Sequence, residues 1–111
     1  MKLSVLDRVI IVQSLLPETG TIEAIKTIIS IRKKLEFNPA EMETLSISKP
    51  YNNIVQINDV TPEMIVRDAD YPLTDSEILF LKTVSKNCSD NGWVTVASLD
   101  TIEMILNYNV G

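Results

Sequence analysis

Two successive stretches of apolar residues at helical spacing, parted by Pro17-Glu18-Thr19-Gly20, limit what this chain can fold into more than any other feature. The first carries Val5, Leu6, Val9, Ile10, Ile11, Val12, Leu15 and Leu16, which leaves only a narrow polar strip around Ser4, Asp7, Arg8 and Ser14. A helix apolar nearly all round must be covered on most sides. In so short a chain it is either the central helix or part of a subunit interface. Ser4 suits the N-cap, Asp7 suits the positive first turn, and Pro17 stops the helix near Leu16. Thr21 then opens a second helix to about Leu35, with a wide stripe of Ile22, Ile25, Ile28, Ile29, Ile31 and Leu35. Lys26, Arg32 and Lys33 fall on its other side, and the run Arg32-Lys33-Lys34 complements the negative end of the helix dipole.

Asn38-Pro39-Ala40-Glu41 reads as the start of a short third helix, with Asn as cap and Pro at the first helical position. The period then changes. Leu45 and Ile47, followed by Ile54 to Ile57, read as two short strands joined across Pro50-Tyr51-Asn52-Asn53. Met64 to Arg67 or a little further suits a third extended piece, although Thr61-Pro62-Glu63 equally suits a helical turn. Thr74-Asp75-Ser76-Glu77 is a capping box opening a helix that Gly92 closes. Trp93-Val94-Thr95-Val96 reads as extended, and Ser98 as the cap of a last helix. The expected fold is α+β and mainly helical, as one domain over residues 1–111. Its order is three N-terminal helices, a small antiparallel β-hairpin or meander, and two C-terminal helices.

Composition removes several function classes. Ten basic against fifteen acidic residues give a net charge of −5, the wrong sign for gripping phosphates by counterion release. There is no histidine, the commonest metal ligand and general base, and the single cysteine, Cys88, cannot make an internal disulfide or a multi-thiolate site. Gly20, Gly92 and Gly111 are too scattered for a phosphate loop, so no cofactor and no metal is expected. Asp59, Glu63, Asp68, Asp70 and Asp75 form an acidic stretch without the alternating spacing of a calcium loop, and read as solvated. The longest apolar run, Val9 to Val12, is far short of a membrane span, and the opening residues lack the pattern of a signal peptide. A cytoplasmic protein is expected. Leu16-Pro17-Glu18-Thr19-Gly20 spells the signal cleaved by sortases, but it lies far from the C-terminus with no apolar segment and basic tail behind it. A turn between two helices explains the same letters.

Met1-Lys2-Leu3-Ser4-Val5-Leu6-Asp7-Arg8, then Leu15-Leu16-Pro17 with Gly20, continued by Ile28, Arg32, Leu35, Phe37 and Glu41, resemble a set of small uncharacterised proteins encoded in bacteriophage and prophage genomes. The likeness covers about the first forty residues and is architectural beyond them. It implies a phage-borne gene acting inside a bacterial host, and carries no activity and no functional residue with it.

The functional expectation is a non-enzymatic protein–protein interaction module, self-associating or bound to another phage or host protein. Its motive is the excess of apolar helix face. Val9, Val12, Ile25, Ile29 and Trp93 are the candidate contact residues, Trp93 standing between a core filler and an exposed anchor. An alternative is a helix-turn-helix or winged-helix DNA-binding regulator, against which the acidic balance and the apolar second helix argue. A small carboxylate-based enzyme is a second alternative, requiring two acids that converge in a cleft.

Overall fold

Capping chemistry written into the chain sets where its helices begin. In the computed structural model, which describes residues 1–37, 47–48, 56–57 and 62–109, four helices are seen among the described residues. Helix α1 spans Val5–Ile10 and continues without a break as a π-helical turn, Ile11–Leu15. Helix α2 spans Ile22–Leu35, α3 Asp75–Asp90 and α4 Leu99–Asn107. Ser4 caps α1 in a full capping box with Asp7, Thr21 caps α2 through the Ala24 amide, and Thr74 pairs with Glu77 at the head of α3. All three starts are as the sequence predicts. The chain is mainly helical with a small antiparallel component.

The extended parts differ from the expectation. Strands β2 (Ile47–Ser48) and β3 (Gln56–Ile57) do form an antiparallel pair, Ile47 opposite Ile57 and Ser48 opposite Gln56. Of the two options for the next stretch the helical turn is found, Pro62–Ile65 being one 3₁₀ turn with Pro at its first position, and the extended piece begins only beyond Arg67. The strand that follows, β4 (Ala69–Asp70), pairs instead with β1 (Lys2–Leu3). Among the described residues the β2–β3 pair is thus the small antiparallel element of the expectation, and β1–β4 is a second two-stranded sheet beside it. The short third helix expected from Asn38-Pro39-Ala40-Glu41 lies outside the described residues.

One buried cluster joins the N-terminal segment to the last helix. Leu3, Ile10, Ile11, Leu15 and Leu16 meet Ile28, Ile31 and Leu35 of α2, Ile78 and Leu81 of α3, and Ile102 and Ile105 of α4. The first helix is thus the central one, covered by its own chain. Of the narrow polar strip, Ser4, Asp7 and Arg8 are buried too. The exposed side of this segment is Gln13 and Ser14.

Polar bridges fasten the packing. Glu77 reaches from α3 to α2, accepting from Ser30 Oγ at 2.7 Å and from Lys34 Nζ at 2.5 Å. Burial alone would raise the Glu77 carboxyl, but Lys34, the Thr74 amide and Ser30 hold it down to about 2. A carboxylate whose folded pKa lies below its unfolded one adds stability above the unfolded value and loses it as the pH falls. The denaturant midpoint is therefore expected to drop progressively from roughly pH 5 downward, as Glu77 titrates toward about 2. A Glu77→Gln variant should show a flatter decline, and an equally steep one would exclude Glu77 as its source. Ser85, fully buried on α3, has a hydroxyl with no hydrogen-bond partner. Ser85→Ala is expected to be neutral or to stabilise by up to about 1 kcal/mol, read as a rise in melting temperature.

Candidate functional site

The connection between α3 and α4 is built from two interlocking caps. At the end of α3, Gly92 takes a φ of 70°, a left-handed conformation that costs glycine nothing. The Gly92 amide then donates to the Ser89 carbonyl at 3.1 Å and the Trp93 amide to the Cys88 carbonyl at 2.9 Å. These are the two bonds of a Schellman motif, and they fix Trp93 at the helix end. Trp93 is 68% exposed, so it is not the core filler that a lone tryptophan suggests.

The segment after Trp93 is a turn and not a strand. Thr95 Oγ1 accepts from the Ser98 amide at 3.1 Å, while Ser98 Oγ accepts from the Thr95 amide at 2.9 Å. This is a reciprocal cap, and it begins one turn before the expected position. Ser98 stands at the N-cap position of α4 with helical backbone angles but makes no side-chain cap bond to that helix; its hydroxyl is engaged with Thr95 instead. The clamp leaves Val96, the first residue after Thr95, 98% exposed.

Beside this turn opens an apolar pocket of about 340 Å³. The π-helical turn and the bend after it supply Ser14, Leu15, Leu16 and Pro17; α3 supplies Val84, Asn87 and Cys88. The loop adds Trp93, Thr95 and Ser98, and α4 adds Ile102. None of these side chains is charged. π-Helical turns widen a helix locally and recur at functional sites. Here the widened turn forms one wall.

A second apolar surface runs along α2. Ile22 and Ile29 are 76% and 46% exposed, with Ile25 half-buried between them on the same stripe. Of the five candidate contact residues, Ile25 and Ile29 thus share one face, while Trp93 lies at the pocket. Val9 and Val12 are half-buried, and Val12 packs against the core. None of these four valines and isoleucines lines the pocket with Trp93. The pocket itself was missed in the sequence. Its one signal there was the pairing of Thr95 with Ser98, three residues apart, beside an apolar Val96 with no helical partner.

The acidic stretch does not converge where it is described. Asp68, Asp70 and Asp75 are exposed, and Asp70 accepts from the Met1 amino group at 2.8 Å; Asp59 and the Glu63 side chain lie outside the described residues. Among the described residues no group of three acids, cysteines or histidines could hold a metal ion, and no helix is long and apolar enough to cross a membrane.

The strongest polar cluster lies inside the fold, around Asp7. Its carboxylate accepts from the Ser4 amide at 2.9 Å, from Arg67 at 2.7 and 3.1 Å, and from Thr101 Oγ1 at 2.6 Å. Burial works to raise the Asp7 pKa, yet Arg67, the Ser4 amide and Thr101 outweigh it and hold the group below its usual range. Arg67 is raised in turn, chiefly by its bond to Asp7. Every acceptor position is used by a neighbour of the same chain, so the cluster works as a clasp between α1, α4 and the segment before β4. Compared with protein-family models, with curated proteins and with solved structures, the chain matches none.

Proposed function

We propose that this chain is a protein–protein interaction module that associates with itself, acts without catalysis, and works inside a bacterial host as the product of a phage or prophage gene. The observation that carries the interaction reading is an uncharged apolar pocket with the exposed Trp93 in its lining. Tryptophan concentrates binding energy where it is fixed and can be desolvated. A rim held by two caps loses little freedom on binding, so more of its contact energy appears as affinity. The host setting rests on the likeness of the first forty residues to phage and prophage proteins.

Light scattering over a concentration series tests the self-association. A weight-average mass that climbs above the 12.4 kDa of one chain is expected. A mass fixed at that value up to millimolar protein would refute it.

A further inference from the structure

We infer that the outward stripe of α2, formed by Ile22, Ile25, Lys26, Ile29, Arg32 and Lys33, docks an acidic amphipathic helix of a different protein. This goes beyond the self-association reading, and none of the six residues lines the pocket. Helix α2 buries Ile28, Ile31 and Leu35 in the core. Ile22, Lys26, Ile29 and Lys33 follow one another at steps of four, three and four residues, which sets them in one line on the opposite side. Ile25 and Arg32 stand beside that line. Ile22 is 76% and Ile29 46% exposed, and Lys26, Arg32 and Lys33 are all exposed. Among the described residues none of these three cations joins an ion pair, whereas Lys34 is tied to Glu77. The helix dipole accounts for Arg32 and Lys33 in the last turn. It accounts neither for Lys26 in mid-helix nor for isoleucines left in water.

Charge decides the occupant. Helix α2 carries one acid, Glu23, against four bases in a chain of net charge −5, so the stripe is a basic ridge on an acidic molecule. In heptad terms Ile22 and Ile29 take position a, Ile25 and Arg32 d, and Lys26 and Lys33 e. Lysine at e selects a partner with acids on the facing flank, and the isoleucines select apolar residues at its a and d. A second copy laid antiparallel on the stripe would set the same lysines against one another. Laid parallel, it would need the g positions, Ile28 and Leu35, which are buried. Phosphates of a nucleic acid would meet the cations but leave the isoleucines against a hydrated backbone. A membrane-surface helix turns one apolar face to the lipid and keeps its cations on the other. Here that apolar face is spent in the core, and lysines alternate with isoleucines along the crest. The stripe covers only about three turns, so the binding is weak and falls with salt.

The probe is a synthetic three-heptad peptide with Leu at a and d and Glu at e and g, its label read by fluorescence anisotropy at low salt. The same peptide with Lys in place of Glu is the control. The full chain should bind the Glu peptide at least about tenfold more tightly than the Lys peptide. Lys26→Glu combined with Lys33→Glu, its fold verified by circular dichroism and melting temperature, should reverse that preference. If that variant does not fold, Lys26→Gln with Lys33→Gln replaces it and should abolish the preference. Ile22→Gln with Ile29→Gln should weaken the Glu peptide about tenfold, and an unchanged affinity would reduce the stripe to bare charge and overturn the helix. No binding of the Glu peptide at millimolar protein also overturns the proposal. So does tighter binding to a short DNA duplex or to phosphatidylglycerol vesicles that the lysine variant loses. Light scattering keeps this test apart from that of self-association: the lysine variant should match wild type in mass. A loss of self-association in it would seat a second copy on the stripe and overturn the different partner.

Discussion

Asp7→Ala is expected to cost about 3–5 kcal/mol and to leave the chain largely unfolded at 37 °C. Asp7 is 2% exposed and accepts hydrogen bonds from three separate parts of the chain. Removing the carboxylate leaves the Thr101 hydroxyl and the Ser4 amide buried without it, strips the Arg67 guanidinium of its counter-charge, and opens the capping box of α1. Arg67→Ala should cost less, about 1–3 kcal/mol, because the Arg67 side chain is 38% exposed and Asp7 keeps Ser4 and Thr101. Urea denaturation of both variants checks the order. Equal losses would show that the ion pair alone carries the cluster, and a loss under 1 kcal/mol for Asp7→Ala would contradict the clasp.

The second large effect belongs to Arg8, also 2% exposed. Its Nε donates to the Leu35 carbonyl at 3.0 Å and a terminal nitrogen donates to the Glu36 carbonyl at 2.8 Å. Those carbonyls end α2, where cations are favoured and acceptors lack helical partners. The guanidinium also lies 3.9 Å from the Phe37 ring centroid and 4.9 Å from that of Tyr71. Arg8→Ala is expected to lose about 3–4 kcal/mol, combining the unmet carbonyls, the cation–π contacts and the vacated volume. Arg8→Lys should recover under half of that, because a lysine ammonium can neither fork across two carbonyls nor stack flat on a ring. Full rescue by lysine would mean that charge alone matters here.

The starts of α1, α2 and α3 were legible because each depends on residues three apart: Ser4 with Asp7, Thr21 with Ala24, Thr74 with Glu77. The burial of Asp7 and Arg8 was not. Their partners Arg67, Thr101 and Leu35 are 60, 94 and 27 residues away, and local patterning holds no trace of such distances. The same limit explains the pairing of β1 with β4, two-residue strands from distant parts of the chain. For the candidate site, Trp93, Ile25 and Ile29 could be singled out as apolar residues, but not the side of the fold on which each would stand. Trp93 was ambiguous because its exposure is decided by the Schellman bonds at Gly92, and Val96 because Ser98 bonds back to Thr95 in a turn rather than capping α4. A local rule gave the turn its residues. The pocket opposite required the tertiary fold.

Trp93 is the only tryptophan, so its fluorescence reports on the pocket rim alone. Emission should move to shorter wavelength as protein concentration rises, along the same curve as the mass, because a second copy shields the indole from water. An emission maximum that stays in the range of a water-exposed indole while the mass doubles would place the contact elsewhere and contradict the account.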